Sequence, residues 1–233
     1  MKRIFIWFLS FSMLLSGCSS LKNILSARDA ESAIREVLSL GSEFGGSILS
    51  KKGAFSKETL LNALMPEDFQ KILNTLETLG LSKEIGKFSA TLGTATEQTV
   101  EKSVPIFLLG IKQMSLKDAV QIVKNGGTSA TDYLRKTMGD TLWKSISPVM
   151  HQALENYKLE TEWNNLIAPV KLFTGDKLNL SLSNLISGLV ANMMFNKIAE
   201  KETAIRTKAA ERKSALLKKD LEKYGKLKNI ILQ

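Results

Sequence analysis

IKQMSLKDAVQIVKNGGTSATDYLRK, residues 111–136, sets how the rest of the chain is read. The spacing predicts two short helices hinged at Gly126-Gly127. Leu116, Ala119, Val120 and Val123 give the first an apolar face at helical period. Ser115 with Asp118, and Ser129 with Asp132, are shortened capping boxes that predict where each helix starts. Gly126 can take the left-handed conformation that ends the first helix.

Outward from the hinge, the same period recurs on both sides. Ala30, Ala33, Ile34, Val37, Leu38, Phe44 and Ile48 form one stripe from about Asp29, with Gly41, Gly45 and Gly46 inside it. Those glycines predict close helix packing, and Lys51-Lys52-Gly53 ends the element. Ser56 to Met65 is ambiguous between helix and loop, and Pro66 suits a first helical position. Phe69, Ile72, Leu73, Leu76 and Leu79 predict a buried face closed by Gly80. Ser82 is expected to cap the next helix, with Ile85, Phe88 and Leu92 inward. Its later turns, Ala90 to Thr99, are small and polar and predict thin packing. Pro105 is expected to break or kink it.

After Lys136 the pattern predicts a helix over about Asp140 to Tyr157, interrupted at Ser147-Pro148, and a shorter one over Leu159 to Val170. A loop is expected over Phe173 to Leu180. A long helix then starts at Ser183. One five-residue alternation, Leu178 to Leu182, has no partner, and a lone strand cannot form a sheet. The fold class is therefore all-α: a single helical bundle with a long basic C-terminal helix.

The N-terminus carries an address. Lys2 and Arg3 precede a 12-residue apolar run, Ile4 to Leu15, broken by Ser10 and Ser12. Twelve helical residues reach roughly 18 Å, short of a hydrocarbon core of about 30 Å. The order of charge, apolar run and small residues is that of a secretory signal. Leu15-Ser16-Gly17-Cys18 resembles the bacterial lipobox, and Cys18 is the chain's single cysteine. The resemblance implies lipidation of Cys18 and cleavage before it. Ser19, where an aspartate would mark inner-membrane retention, points to the outer membrane. The domain reading is a signal peptide at 1–17, a lipidated tether at 18–28, the bundle at 29–217 and a basic helical extension at 218–233.

Net charge is +9 over 233 residues, and Lys2 and Arg3 account for two of those charges. From Lys197 to Lys228, eleven Lys or Arg stand against five acids. Arg212, Lys213, Lys218, Lys219, Lys223, Lys226 and Lys228 form a candidate basic surface for anionic lipid or cell-wall polymer. Nucleic acid is excluded by the exported address. His151 is the single histidine, too few for an imidazole or thiolate metal site once Cys18 is lipidated. No phosphate-cradling loop or placed catalytic base is found. No cofactor is expected, and the chain is read as not an enzyme.

Pieces spread along the chain carry a family resemblance. They are AIREVL near Ala33, LMPEDFQKI at Leu64, IKQMSLKDAVQIV at Ile111, ATDYLRK at Ala130 and IAEKETAIR at Ile198. Together they resemble the bacterial lipoprotein-type family known as domain of unknown function four-one-nine-seven, over roughly residues 30–220. Asn192-Met193 and the extension from Lys219 depart from its pattern. The resemblance implies a helical, membrane-tethered periplasmic protein and supplies no substrate. Tyr133, Arg135, Glu202 and Arg206 lie in matching pieces and form a candidate polar cluster. Its two readings are interhelix ion pairing and a ligand-facing pocket. The functional expectation is a lipid-anchored, non-enzymatic interaction protein of the envelope. The alternative is a small-molecule binding module near Tyr133 and Arg135.

Overall fold

The computed structural model describes residues 18–64, 67–174, 181–218 and 221, with the backbone alone described at 18–26, 61–64, 67–71, 73 and 172–174. Residues 1–17, read above as a signal peptide, Met65-Pro66, residues 175–180 of the expected loop, and Lys219, Lys223, Lys226 and Lys228 lie outside those residues. The described residues are helical with no strand, as the sequence predicts. In chain order the helices are α1 (Cys18–Leu49), α2 (Lys57–Leu64), α3 (Glu67–Thr78), α4 (Ser82–Gln113), α5 (Ala119–Asn125), α6 (Ser129–Asn156), α7 (Leu159–Thr174) and α8 (Leu182–Thr207).

Four long helices, α1, α4, α6 and α8, make an up-down-up-down bundle. Each packs on two neighbours, α1 on α8 and α4, α6 on α4 and α8, and barely touches its diagonal. Neighbours are antiparallel. Gly41 meets Ile198 and Gly45 meets Met194 between α1 and α8, while Gly110 meets Leu142 between α4 and α6. The stripe of α1 supplies Ala30, Ala33, Ile34, Val37 and Leu38, each at most 3% exposed. Phe107 of α4 meets Phe195 of α8 edge-on, ring centres 5.4 Å apart across the core, a geometry worth about 0.5–1.5 kcal/mol beyond the buried area. The short helices connect long ones: α2 and α3 between α1 and α4, α5 between α4 and α6, α7 between α6 and α8.

The glycines of α1 act as expected. A Cβ on Gly41 would sit 3.0 Å from the Ile198 Cα, and one on Gly46 would sit 2.2 Å from a Val104 methyl. With hydrogen in those places the backbones of α1, α4 and α8 approach closely. Gly80 (φ 82°) closes α3. The Leu81 N–H donates to the Leu76 carbonyl and the Gly80 N–H to the Glu77 carbonyl, the paired bonds of a Schellman end.

Several expectations are corrected. Pro105 and Pro148 lie inside continuous helices. Both are exposed, as are Glu101 and Lys144 four residues earlier, whose carbonyls lose their helical donors. Water can satisfy those carbonyls, so neither helix breaks. The second hinge helix is thus the start of 28-residue α6, with no gap after Lys136. Ala90 to Thr99 packs tightly: Ala95, Thr96 and Thr99 are fully buried. Thr96 and Thr99 return their hydroxyls to the carbonyls four residues back, so small polar residues pack without an orphaned donor. Leu79, expected in the α3 core face, is 50% exposed because the helix ends there. Ser82, Ser115 and Ser129 do not cap; the boundary residues are Leu81, Asp118 and Thr128, without side-chain capping bonds.

The long basic helix is also shorter than predicted. α8 stops at Thr207 and a 3-10 turn follows at Ala209–Glu211. The chain then folds back on the bundle. Ser214 donates to Glu36 on α1, and Leu217 is fully buried. Residues 18–28, read as a tether, are helical and continuous with α1.

Candidate functional site

Glu202 is the best-connected side chain of the polar cluster. It lies in the last turns of α8, fully buried, where a carboxylate needs partners to offset its lost hydration. Four donors converge on it. The backbone N–H groups of Ala130 and Thr131 reach it at 3.0 and 2.8 Å, the Thr131 hydroxyl at 2.6 Å and the Arg206 Nε at 2.8 Å. Those N–H groups belong to the first turn of α6 and have no acceptor within their own helix. Glu202 therefore caps α6 from another helix, with its charge at the positive end of that helix dipole.

Arg206, 10% exposed at its side chain, pairs with Glu202 one turn away. Its remaining donors turn to α5. They reach the Val123 carbonyl at 3.1 Å, the Ile122 carbonyl at 3.5 Å and the Ser129 hydroxyl at 3.3 Å. One ion pair on α8 thus holds both sides of the hinge: the carbonyl end of α5 and the N–H end of α6. Between them, Gly126 and Gly127 have φ of 69° and 57°. Successive left-handed residues carry little strain when both are glycine.

Tyr133 and Arg135 do not join this pair. The Tyr133 hydroxyl donates to the Ser115 carbonyl at 2.8 Å, tying α6 to the segment before α5. Arg135 is exposed, bonds Asn192 and Asn196 of α8, and sits 4.7 Å from the Phe195 ring centre. Asn192, where the sequence departs from the family pattern, is its closest partner at 2.6 Å. The cluster is therefore divided: the Glu202–Arg206 pair sits at the first turn of α6, while Tyr133 and Arg135, further along α6, bond the segment before α5 and α8. The expected interhelix salt bridge is corrected: Glu202 and Arg206 pair one turn apart within α8, and it is the amide and hydroxyl donors to Glu202 and the carbonyl acceptors of Arg206 that belong to other helices. Glu200 pairs instead with Lys197.

The same device recurs at positions that sequence reasoning missed. Arg35 of α1 donates to the carbonyls of Ile111, Lys112 and Met114, closing α4, while pairing with Glu31. Arg212, assigned to the basic surface, donates to the Ile205 and Arg206 carbonyls and closes α8. Buried Glu97 of α4 accepts from the Gly53 and Phe55 N–H groups and fixes the turn after α1. A charged residue in a run of small polar ones was the signal available for Glu97. Of the rest of the predicted basic surface, Lys213 and Lys218 are described, and both are exposed. Lys201 holds Glu211 at 2.6 Å, and that hydrogen bond lowers the Glu211 pKa.

His151 is exposed beside Glu155 at 3.3 Å. It shares a shallow groove between α6 and α8 with Trp143, Lys144, Ser147 and Asn184. The Trp143 Nε1 is buried without a partner; a Cβ on Gly188 would stand 4.0 Å from it. Among the described residues no group of His, Cys, Asp and Glu could hold a metal ion, and no helix is long and apolar enough to cross a membrane.

The family described as "Protein of unknown function (DUF4197)" matches residues 24–220. No curated protein and no solved structure matches the chain.

Proposed function

We propose, for a chain that belongs to the DUF4197 family, a lipid-anchored, non-enzymatic interaction protein on the periplasmic face of the outer membrane. The observation that carries this reading is Leu15-Ser16-Gly17-Cys18 at the end of a charged-then-apolar leader, with the single cysteine of the chain at the modified position. A thioether-linked diacylglyceryl group together with an amide-linked acyl chain is enough for stable anchoring, where one chain is marginal. Support for the non-enzymatic part comes from the polar cluster. Glu202 and Arg206 are taken up by each other and by groups of α5 and α6, Tyr133 bonds the segment before α5, and Arg135 bonds two asparagines of α8, whereas a general base needs a group within reach of the proton it takes.

Replacing Cys18 with alanine tests the anchor. The wild type is expected to take up labelled fatty acid and to sediment with membranes. The Cys18→Ala chain is expected to remain unlabelled, either released or held as uncleaved precursor. A cleaved Cys18→Ala chain recovered with membranes as fully as the wild type contradicts the reading.

A further inference from the structure

The topology gathers one end of α4, α6 and α8 around α5, against the side of α1. The stretch of α1 from Ala27 to Arg35, the first turn of α6, the last turns of α4 and α8, and the whole of α5 meet there. Five basic side chains are exposed at this end: Arg28, Lys112, Lys117, Lys124 and Lys208. Arg28 and Lys117 line one groove with Asp118 and Gln121. Lys124 follows the carbonyl that receives Arg206, and Lys208 lies two residues beyond Arg206. The acids here are Asp118, Asp132 and Glu31: Asp132 accepts from the Thr128 hydroxyl, and Glu31, 41% exposed at its side chain, lines the same groove and is paired with Arg35.

Three helices, α4, α5 and α8, end here and would present the negative ends of their dipoles. Arg35, Arg206 and Arg212 each occupy one of those carbonyl ends. The end is thereby left to its lysines. The opposite end mixes signs, as exposed Lys83, Glu84 and Lys87 at the start of α4 show.

We propose that this α5 end is a docking surface for the phosphates of anionic lipid headgroups. The occupant follows from charge and from position. Cys18 opens α1, and Arg28 is ten helical residues further on, roughly 15 Å. An acylated Cys18 therefore turns the basic end toward the bilayer; since fields there decay over about 8 Å, docking brings the lysines onto the headgroups with α1 inclined to the membrane. The orientation rests on the anchoring reading above; the charge surface itself does not.

The test uses the chain 18–233 with Cys18→Ser, which carries no lipid and keeps every described helix. Flotation with phosphatidylglycerol vesicles is compared with flotation with phosphatidylcholine vesicles across a salt series. Binding to the anionic vesicles, weakened by salt, is expected. Lys117→Gln, Lys124→Gln and Lys208→Gln together should reduce it on the order of 100-fold, about five-fold for each lysine. Lys83→Gln with Lys87→Gln, at the other end, should stay within about two-fold. Circular dichroism of each variant checks that the helices persist. Equal binding to both lipids, no binding by the parent, or a triple variant that binds like the parent overturns the proposal. So does loss of binding produced only by deleting Lys218 to Gln233. Fatty-acid labelling of Cys18 in the wild type is read separately, so failure of the anchor and failure of this surface are distinguishable.

Discussion

Glu202 shows what a buried charge is worth when every valence is used. Its carboxylate meets two backbone amides, a hydroxyl and a guanidinium. Removing it leaves Arg206 buried without its acid and the first turn of α6 without acceptors. Breaking a buried pair by deleting one partner costs about 3–5 kcal/mol, a large part of the about 5–15 kcal/mol that holds a domain folded. Glu202→Ala should therefore lower the urea midpoint sharply with little change in slope, and Glu202→Gln, which keeps an acceptor, should cost less. Hydrogen exchange at Ala130 and Thr131 should rise in both. An alanine variant within about 1 kcal/mol of the parent would show that the pair is not what holds the hinge.

At the scale of helices, the glycines divide by what surrounds them. A Cβ on Gly41 would meet the backbone of Ile198, and one on Gly93 would come within 2.4 Å of the Phe55 carbonyl. Gly86 and Gly139 have nothing within 4 Å and sit inside α4 and α6. Gly41→Ala and Gly93→Ala should each destabilise by about 1–3 kcal/mol, as overpacking does. Gly86→Ala and Gly139→Ala should stabilise by about 0.5–1 kcal/mol, because alanine loses less backbone entropy in a helix. Melting temperatures of the four variants check the contrast. The α1 glycines were legible because they lie on an apolar stripe of period 3.6. The course of α4 past Pro105 was not, since the cost of a helical proline depends on whether its side faces water. The end of α8 was equally hidden: helix-forming residues continue past Thr207, and tertiary contacts of Arg212, Ser214 and Leu217 turn the chain back. Glu202 and Arg206 were legible as members of one polar cluster, but the pairing was read as interhelix, and their backbone partners on α5 and α6 depend on how the long helices are arranged.

For the whole molecule, the bundle topology gives the chain a polarity. α1 starts at Cys18 and the connections through α5 close the same end, while α2 and α3 lie between the opposite ends of α1 and α4. A body built this way can be held by one end and present the other. Its core is continuous from Ala30 to Leu221, so the packed body includes residues first assigned to a C-terminal extension. Cys18 is the proposed point of attachment, and the intact mass of the protein extracted from envelopes tests it. Expected is a chain beginning at Cys18 whose excess mass equals a diacylglyceryl group plus one amide-linked acyl chain, both mapped to that residue. A chain that retains Met1, or one cut elsewhere with an unmodified Cys18 thiol, would contradict it.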